Sequence, residues 1–127
     1  SAHYDTQHNF YAQLYGSKTF HLWAPSLLEA LHPHPTLHTR HRQSSLAQPL
    51  AGLPPRHEVR LRPGDVLYVP PFWTHHVITG AETPTTPGAE TPFAMAVSIW
   101  SDSVEHCRSK ALEALPLPWE SEWSAAW

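Results

Sequence analysis

Six short runs rich in aromatic and β-branched residues, most of them closed by glycine or proline, restrict this chain to a β-rich fold. Asn9 to Tyr15 and Lys18 to Trp23 alternate in part and are separated by Gly16-Ser17, which reads as a hairpin. His57 to Leu61 alternates cleanly, and the turn Arg62-Pro63-Gly64-Asp65 leads into the apolar run Val66 to Val69. His75 to Thr79 and Ala94 to Trp100 supply two further strands. Helical pattern is sparse. Ser26 to Leu31 reads as one or two turns capped by Ser26. Asp102 or Ser103 can cap a terminal helix running to about Leu115, with Val104, Cys107, Ala111 and Leu115 on one face.

The 127 residues, 41% of them hydrophobic, suffice for one modest core, so a single domain or a piece of one is expected. We divide the chain into a core at 1–101 and a C-terminal helix with a Trp-rich tail at 102–127. Within the core, 32–55 lacks any period and reads as a long surface loop. The stretch 80–92 holds the pentapeptide GAETP twice and reads as a low-complexity loop insertion. The tail carries Trp119, Trp123 and Trp127, which need cover.

A net charge of −3 with scattered basic residues leaves no footprint for a polyanion. The lone Cys107 cannot form an internal disulfide or a thiolate zinc site, which fits an intracellular compartment, cytoplasm or nucleus. No apolar run is long enough to cross a membrane as a helix, so a soluble domain without a membrane partner is expected.

His3 and Asp5 lie two residues apart, and on an extended chain such residues point to one side, where a single metal ion can touch both. An imidazole from a distant strand would complete a set of two histidines and one carboxylate, the arrangement that suits non-haem Fe(II) and leaves positions open. His75 and His76 compete for that place, and because neighbouring strand residues face opposite ways only one can serve. The loop histidines His32, His34, His38 and His41 match no zinc spacing and are interrupted by Pro33 and Pro35. They read as a surface loop.

Gly64, Pro70 and His75 are spaced as the turn, proline bend and ligand of a second cupin motif. With HYDTQHNFYAQLYGSKTFHLWAP at 3–25, GDVLYVPPFWTHHV at 64–77 and VSIW at 97–100, the chain resembles the JmjC-type hydroxylases of the cupin-8 group. That group includes the asparaginyl hydroxylase acting on hypoxia-inducible factor, arginyl hydroxylases and the wybutosine tRNA hydroxylase. The resemblance implies a mainly β, double-stranded β-helix (cupin, jelly-roll) core, with its first strands expected to be missing here, followed by a C-terminal helix. It implies His3, Asp5 and His75 as Fe(II) ligands, and His76 then reads as a residue supporting the ligands from behind or as an outward-facing one. Lys18 is then the cation for the distal carboxylate of the cosubstrate 2-oxoglutarate, and Asn9 and Ser98 stand near that cosubstrate. Gln13 and Trp100 match positions around the pocket, or serve simply as core residues.

The implied activity is that of a 2-oxoglutarate-dependent dioxygenase using dioxygen to hydroxylate a protein or RNA. The alternatives are a JmjC lysine demethylase and a cupin-like binding module without catalysis.

Overall fold

The computed structural model describes residues 1–35, 38–46, 52–80 and 93–113. Among the described residues, six strands form two three-stranded antiparallel sheets: β1 (His8–Tyr15), β2 (Ser17–Trp23), β3 (His57–Leu61), β4 (Val66–Val69), β5 (Thr74–Gly80) and β6 (Met95–Ser101). One sheet has the order β4-β1-β6 and the other β3-β2-β5. Helix α1 (Val104–Glu113) follows β6. Apart from Gly80, which ends β5, the repeated pentapeptides and the Trp-rich tail lie outside the described residues.

The strands stand where alternation and turn residues put them, but the expected β1–β2 hairpin does not form. β1 pairs with β4 and β6, whereas β2 pairs with β3 and β5. The chain turns a corner at Gly16 and passes from one sheet to the facing one. Gly16 has a φ of +66°, and a Cβ built on it would lie 2.7 Å from the main-chain oxygen of Phe93. Both facts demand glycine. Gly64 also has positive φ, yet a Cβ there would meet nothing within 4 Å. Gly16→Ala is therefore expected to destabilise the fold by roughly 1–3 kcal/mol, clearly more than Gly64→Ala, as read from urea midpoints. Equal losses would mean that the close approach to Phe93 is easily relieved.

Alternation explains the core between the sheets. On β2, Lys18, Phe20 and Leu22 share the inward face, and their partners on β5 are Thr79, Val77 and His75. Phe20, Leu22, Leu61 and Val69 are buried together, with Tyr11, Val59, Leu67, Trp73 and Val77 packed around them. Burying Phe20 alone contributes roughly 1.5–3 kcal/mol. The opposite face of the β4-β1-β6 sheet is also apolar, with Phe10, Tyr68, Val97 and Ile99 all exposed among the described residues.

A second, smaller cluster of Ala2, Trp23 and Leu31 anchors the first residues of the chain. The Trp23 indole donates to the Leu53 carbonyl at 3.0 Å. The expected helix capped by Ser26 is instead two 3-10 turns, Pro25–Leu27 and Glu29–Leu31. Pro25 occupies the first helical position and Ala24 the cap, so Ser26 already lies inside the turn.

The 32–55 stretch is less purely a surface loop than expected. Gln43 bridges His3, and Ser44 bridges Pro33. Ser44 is buried, donating from its hydroxyl to Leu31 O and from its amide to Ala2 O. This part of the stretch backs the segment that carries His3.

Ser103 caps α1, its hydroxyl accepting the His106 amide at 3.0 Å. The expected apolar face is not covered by the described residues: Val104 and Cys107 are exposed, and the helix instead engages the chain through His106. No helix among the described residues is long and apolar enough to cross a membrane.

Candidate metal centre

His3 reaches the site from a short bridge. Its amide donates to His75 O at 3.0 Å, and the His75 amide donates back to His3 O at 2.8 Å. This reciprocal pair sets the two residues opposite each other, with ring centroids 4.3 Å apart. Asp5 follows at the next position on the same side, as extended geometry requires. One ligand atom from each of His3, Asp5 and His75 can be chosen so that all lie within 4.8 Å of one another. Among the described residues no other group of this kind is found.

The second nitrogen of each ring explains which nitrogen faces the site. His3 Nδ1 donates to Ser1 O at 3.2 Å, and His75 Nδ1 donates to Trp73 O at 3.1 Å. A carbonyl can only accept, so each Nδ1 carries a proton and Nε2 is the nitrogen left to face the site. His75 Nε2 lies 3.6 Å from Asp5 Oδ2. Burial, then the neighbouring His3, push the His75 imidazole below its ordinary pKa, against the opposing pull of Trp73 O and Asp5. A neutral ring is the form that binds a metal. Asp5 Oδ2 is buried with no hydrogen-bond partner. Such an oxygen is costly unless a cation meets it, so the donor set fits a divalent metal.

The approach to His75 is strained. Phe72 has a φ of +64°, unusual for a bulky residue, and its amide donates to Asp5 O at 2.7 Å. The proline bend thus ties the Asp5 segment to the strand bearing His75. His76 stands opposite His21 on the other face of the β3-β2-β5 sheet from His75.

Lys18 lies on the inward face, four residues along β2 from the level of His75, or roughly 13 Å at strand rise. Its ammonium donates to the Tyr11 hydroxyl at 2.6 Å and sits 5.3 Å from that ring's centroid. Among the described residues no carboxylate pairs with it. Tyr11 went unnoticed in the sequence; its signal was the inward parity it shares with Asn9 and Gln13 on β1.

Asn9 is buried on that same face, and its Oδ1 has no partner. Ser98 stands opposite Tyr11 on β6 but is exposed, and Trp100 stands opposite Asn9, half exposed. Gln13 is fully buried, and its amide donates to Tyr15 O at 2.6 Å and Met95 O at 3.3 Å. These bonds staple the corner at Gly16. Among the described loop histidines, His34 and His38 stack with centroids 4.1 Å apart, without a third ligand.

A family profile described as the cupin-like domain matches residues 1–106. The chain belongs to the cupin-like domain family. Within it, the chain is similar to Jumonji C domain-containing protein 5 of Drosophila melanogaster, at 37% identity over 59% of this chain and 20% of that protein. It is 38% identical to tRNA wybutosine-synthesizing protein 4 of Neurospora crassa, over 58% of this chain and 7% of the relative. It is 32% identical to lysine-specific demethylase JMJ31 of Arabidopsis thaliana, over 61% and 16% respectively. The matched stretches of this cupin-like domain span only 7% to 20% of these relatives.

Proposed function

We propose that the chain carries the metal and cosubstrate site of an Fe(II)- and 2-oxoglutarate-dependent oxygenase, a JmjC-type hydroxylase of a protein or RNA. The observation that carries this reading is the convergence of His3, Asp5 and His75 within 4.8 Å, with a buried Asp5 oxygen lacking a partner. Two imidazoles and one carboxylate leave coordination positions open, which is the requirement of an oxygen-activating iron site. Iron and 2-oxoglutarate, when bound, supply the oxidation of a substrate C–H bond by dioxygen with release of succinate and carbon dioxide.

The chain's own residues bind, orient and shield. His3 and His75 present their Nε2 atoms, with each ring's orientation held by a main-chain carbonyl. Lys18, steadied by Tyr11, offers an ammonium to the far carboxylate of the cosubstrate. Asn9, buried on the inward face, offers its side-chain N–H groups as donors to a cosubstrate oxygen, and Ser98 a hydroxyl opposite Tyr11 on β6. Phe20 and Leu22 make the inward wall apolar and exclude water.

The relatives' names point to two substrate classes for trial, tRNA and methylated lysine. The test is anaerobic addition of Fe(II) and 2-oxoglutarate to the full chain, followed by visible absorption for the chelate and, on admitting dioxygen, by succinate release. A chelate that forms and depends on His75 is expected. Absence of metal binding overturns the oxygenase reading; binding without turnover for any substrate favours the non-catalytic module.

A further inference from the structure

The buried Asp5 Oδ2 makes no hydrogen bond, and its ion-pair neighbour, His75 Nε2 at 3.6 Å, is itself one of the three converging groups. Apart from that pair, its direction depends on how the backbone is held on either side. Upstream, the His3–His75 bridge holds the chain, and the Asp5 carbonyl accepts from Phe72. Downstream, only Thr6 and Gln7 separate Asp5 from the start of β1.

Those two residues are held from the far end of the fold. The Ser103 hydroxyl donates to Thr6 O at 2.6 Å. The Thr6 hydroxyl lies 2.7 Å from His106 Nδ1, and the Gln7 amide donates to Asp102 Oδ1 at 2.7 Å. His106 Nε2 in turn lies 3.5 Å from that same Asp102 oxygen. Ser103 is buried, and its hydroxyl also accepts the His106 amide at 3.0 Å. One hydroxyl therefore caps α1 and grips the ligand segment at once.

We propose that Ser103, with Asp102 and His106, is a positioning group for Asp5, so that the start of α1 sets the geometry of the metal centre. This inference rests on the metal-centre reading above. Losing a group that orients a ligand weakens metal binding about 10–100-fold without removing the bond itself.

The test uses Co(II) as the probe on the full chain, titrated by visible absorption, whose bands report coordination geometry, beside metal-free melting curves. Ser103→Ala is expected to bind Co(II) about tenfold more weakly with altered bands, and Ser103→Thr, which keeps the hydroxyl, to restore both. Thr6→Val, which removes only one hydroxyl, is expected to shift affinity and bands in the same direction, and decides the matter if Ser103→Ala does not fold. Ala111→Gly weakens the helix without touching Thr6; it should lower melting while leaving Co(II) affinity as in the parent. Parent-like binding by Ser103→Ala and Thr6→Val overturns the proposal, as does an equal loss in Ala111→Gly. A parent protein that binds no Co(II), or a His75→Ala variant that binds it equally well, overturns the metal-centre reading and this proposal together.

Discussion

His75→Ala is expected to abolish Fe(II)-dependent 2-oxoglutarate turnover and to weaken metal binding by more than about 100-fold, beyond the range expected for loss of an orienting partner. The reason is its place in the sheet. Leu22 stands opposite His75 and Phe20 opposite Val77, so His75 shares the inward parity of the buried core. Its side chain is only 5% exposed and faces Asp5. His76 has the other parity, standing opposite His21, which pairs with Glu58 at 3.1 Å on the outer side. His76→Ala should therefore cost no more than about 10–100-fold. The measurements are Co(II) titration and a succinate assay, with folding checked by circular dichroism. Retained turnover in a folded His75→Ala protein, with loss in His76→Ala, would shift the strand register by one and sink the assignment.

Lys18→Ala is expected to raise the 2-oxoglutarate concentration needed for half-saturation by roughly 10–100-fold, because a hydrogen bond to a charged group contributes about 1.5–3 kcal/mol. Metal affinity should barely change, since the three ligand residues hold their places through bonds that do not involve Lys18. Tyr11→Phe should show the same preference at smaller size: it removes the oxygen that steadies the ammonium but leaves the charge. Lys18→Arg is not a safe rescue, because a planar guanidinium cannot replace a compact ammonium on this wall. Calorimetric titration of 2-oxoglutarate into the anaerobic metal-loaded protein separates the cases. An equal loss of metal and cosubstrate affinity in Lys18→Ala would make the lysine a structural residue.

The contrast between His75 and Gly16 shows what kind of information was legible. His3 and Asp5 share a side because residues two apart on an extended chain must do so, whatever the rest of the fold does. The opposed faces of His75 and His76 follow from the same parity, and a capping preference acting within one turn narrowed the start of α1 to Asp102 or Ser103, of which the structure uses Ser103. Strand positions were legible for the same reason: alternation and the stops at proline and glycine are local.

Gly16 misled because a glycine between two strands permits either a hairpin or a corner. The choice belongs to the partners, since β1 finds β4 and β6 while β2 finds β3 and β5. Ser26 misled through a local rule already overruled by its neighbour, Pro25, which begins the turn one residue earlier.

By itself, the sequence determined the strands, the parity that sets His75 against His76 and the chemical types available to one site. Tertiary structure alone decided which sheet each strand joins, that Tyr11 meets Lys18, and that the Ser103 hydroxyl reaches Thr6 across a separation of 97 residues. Pattern propagates along a strand for a few residues, whereas these contacts depend on how two sheets face each other. That is settled only when the whole set of apolar faces is buried together.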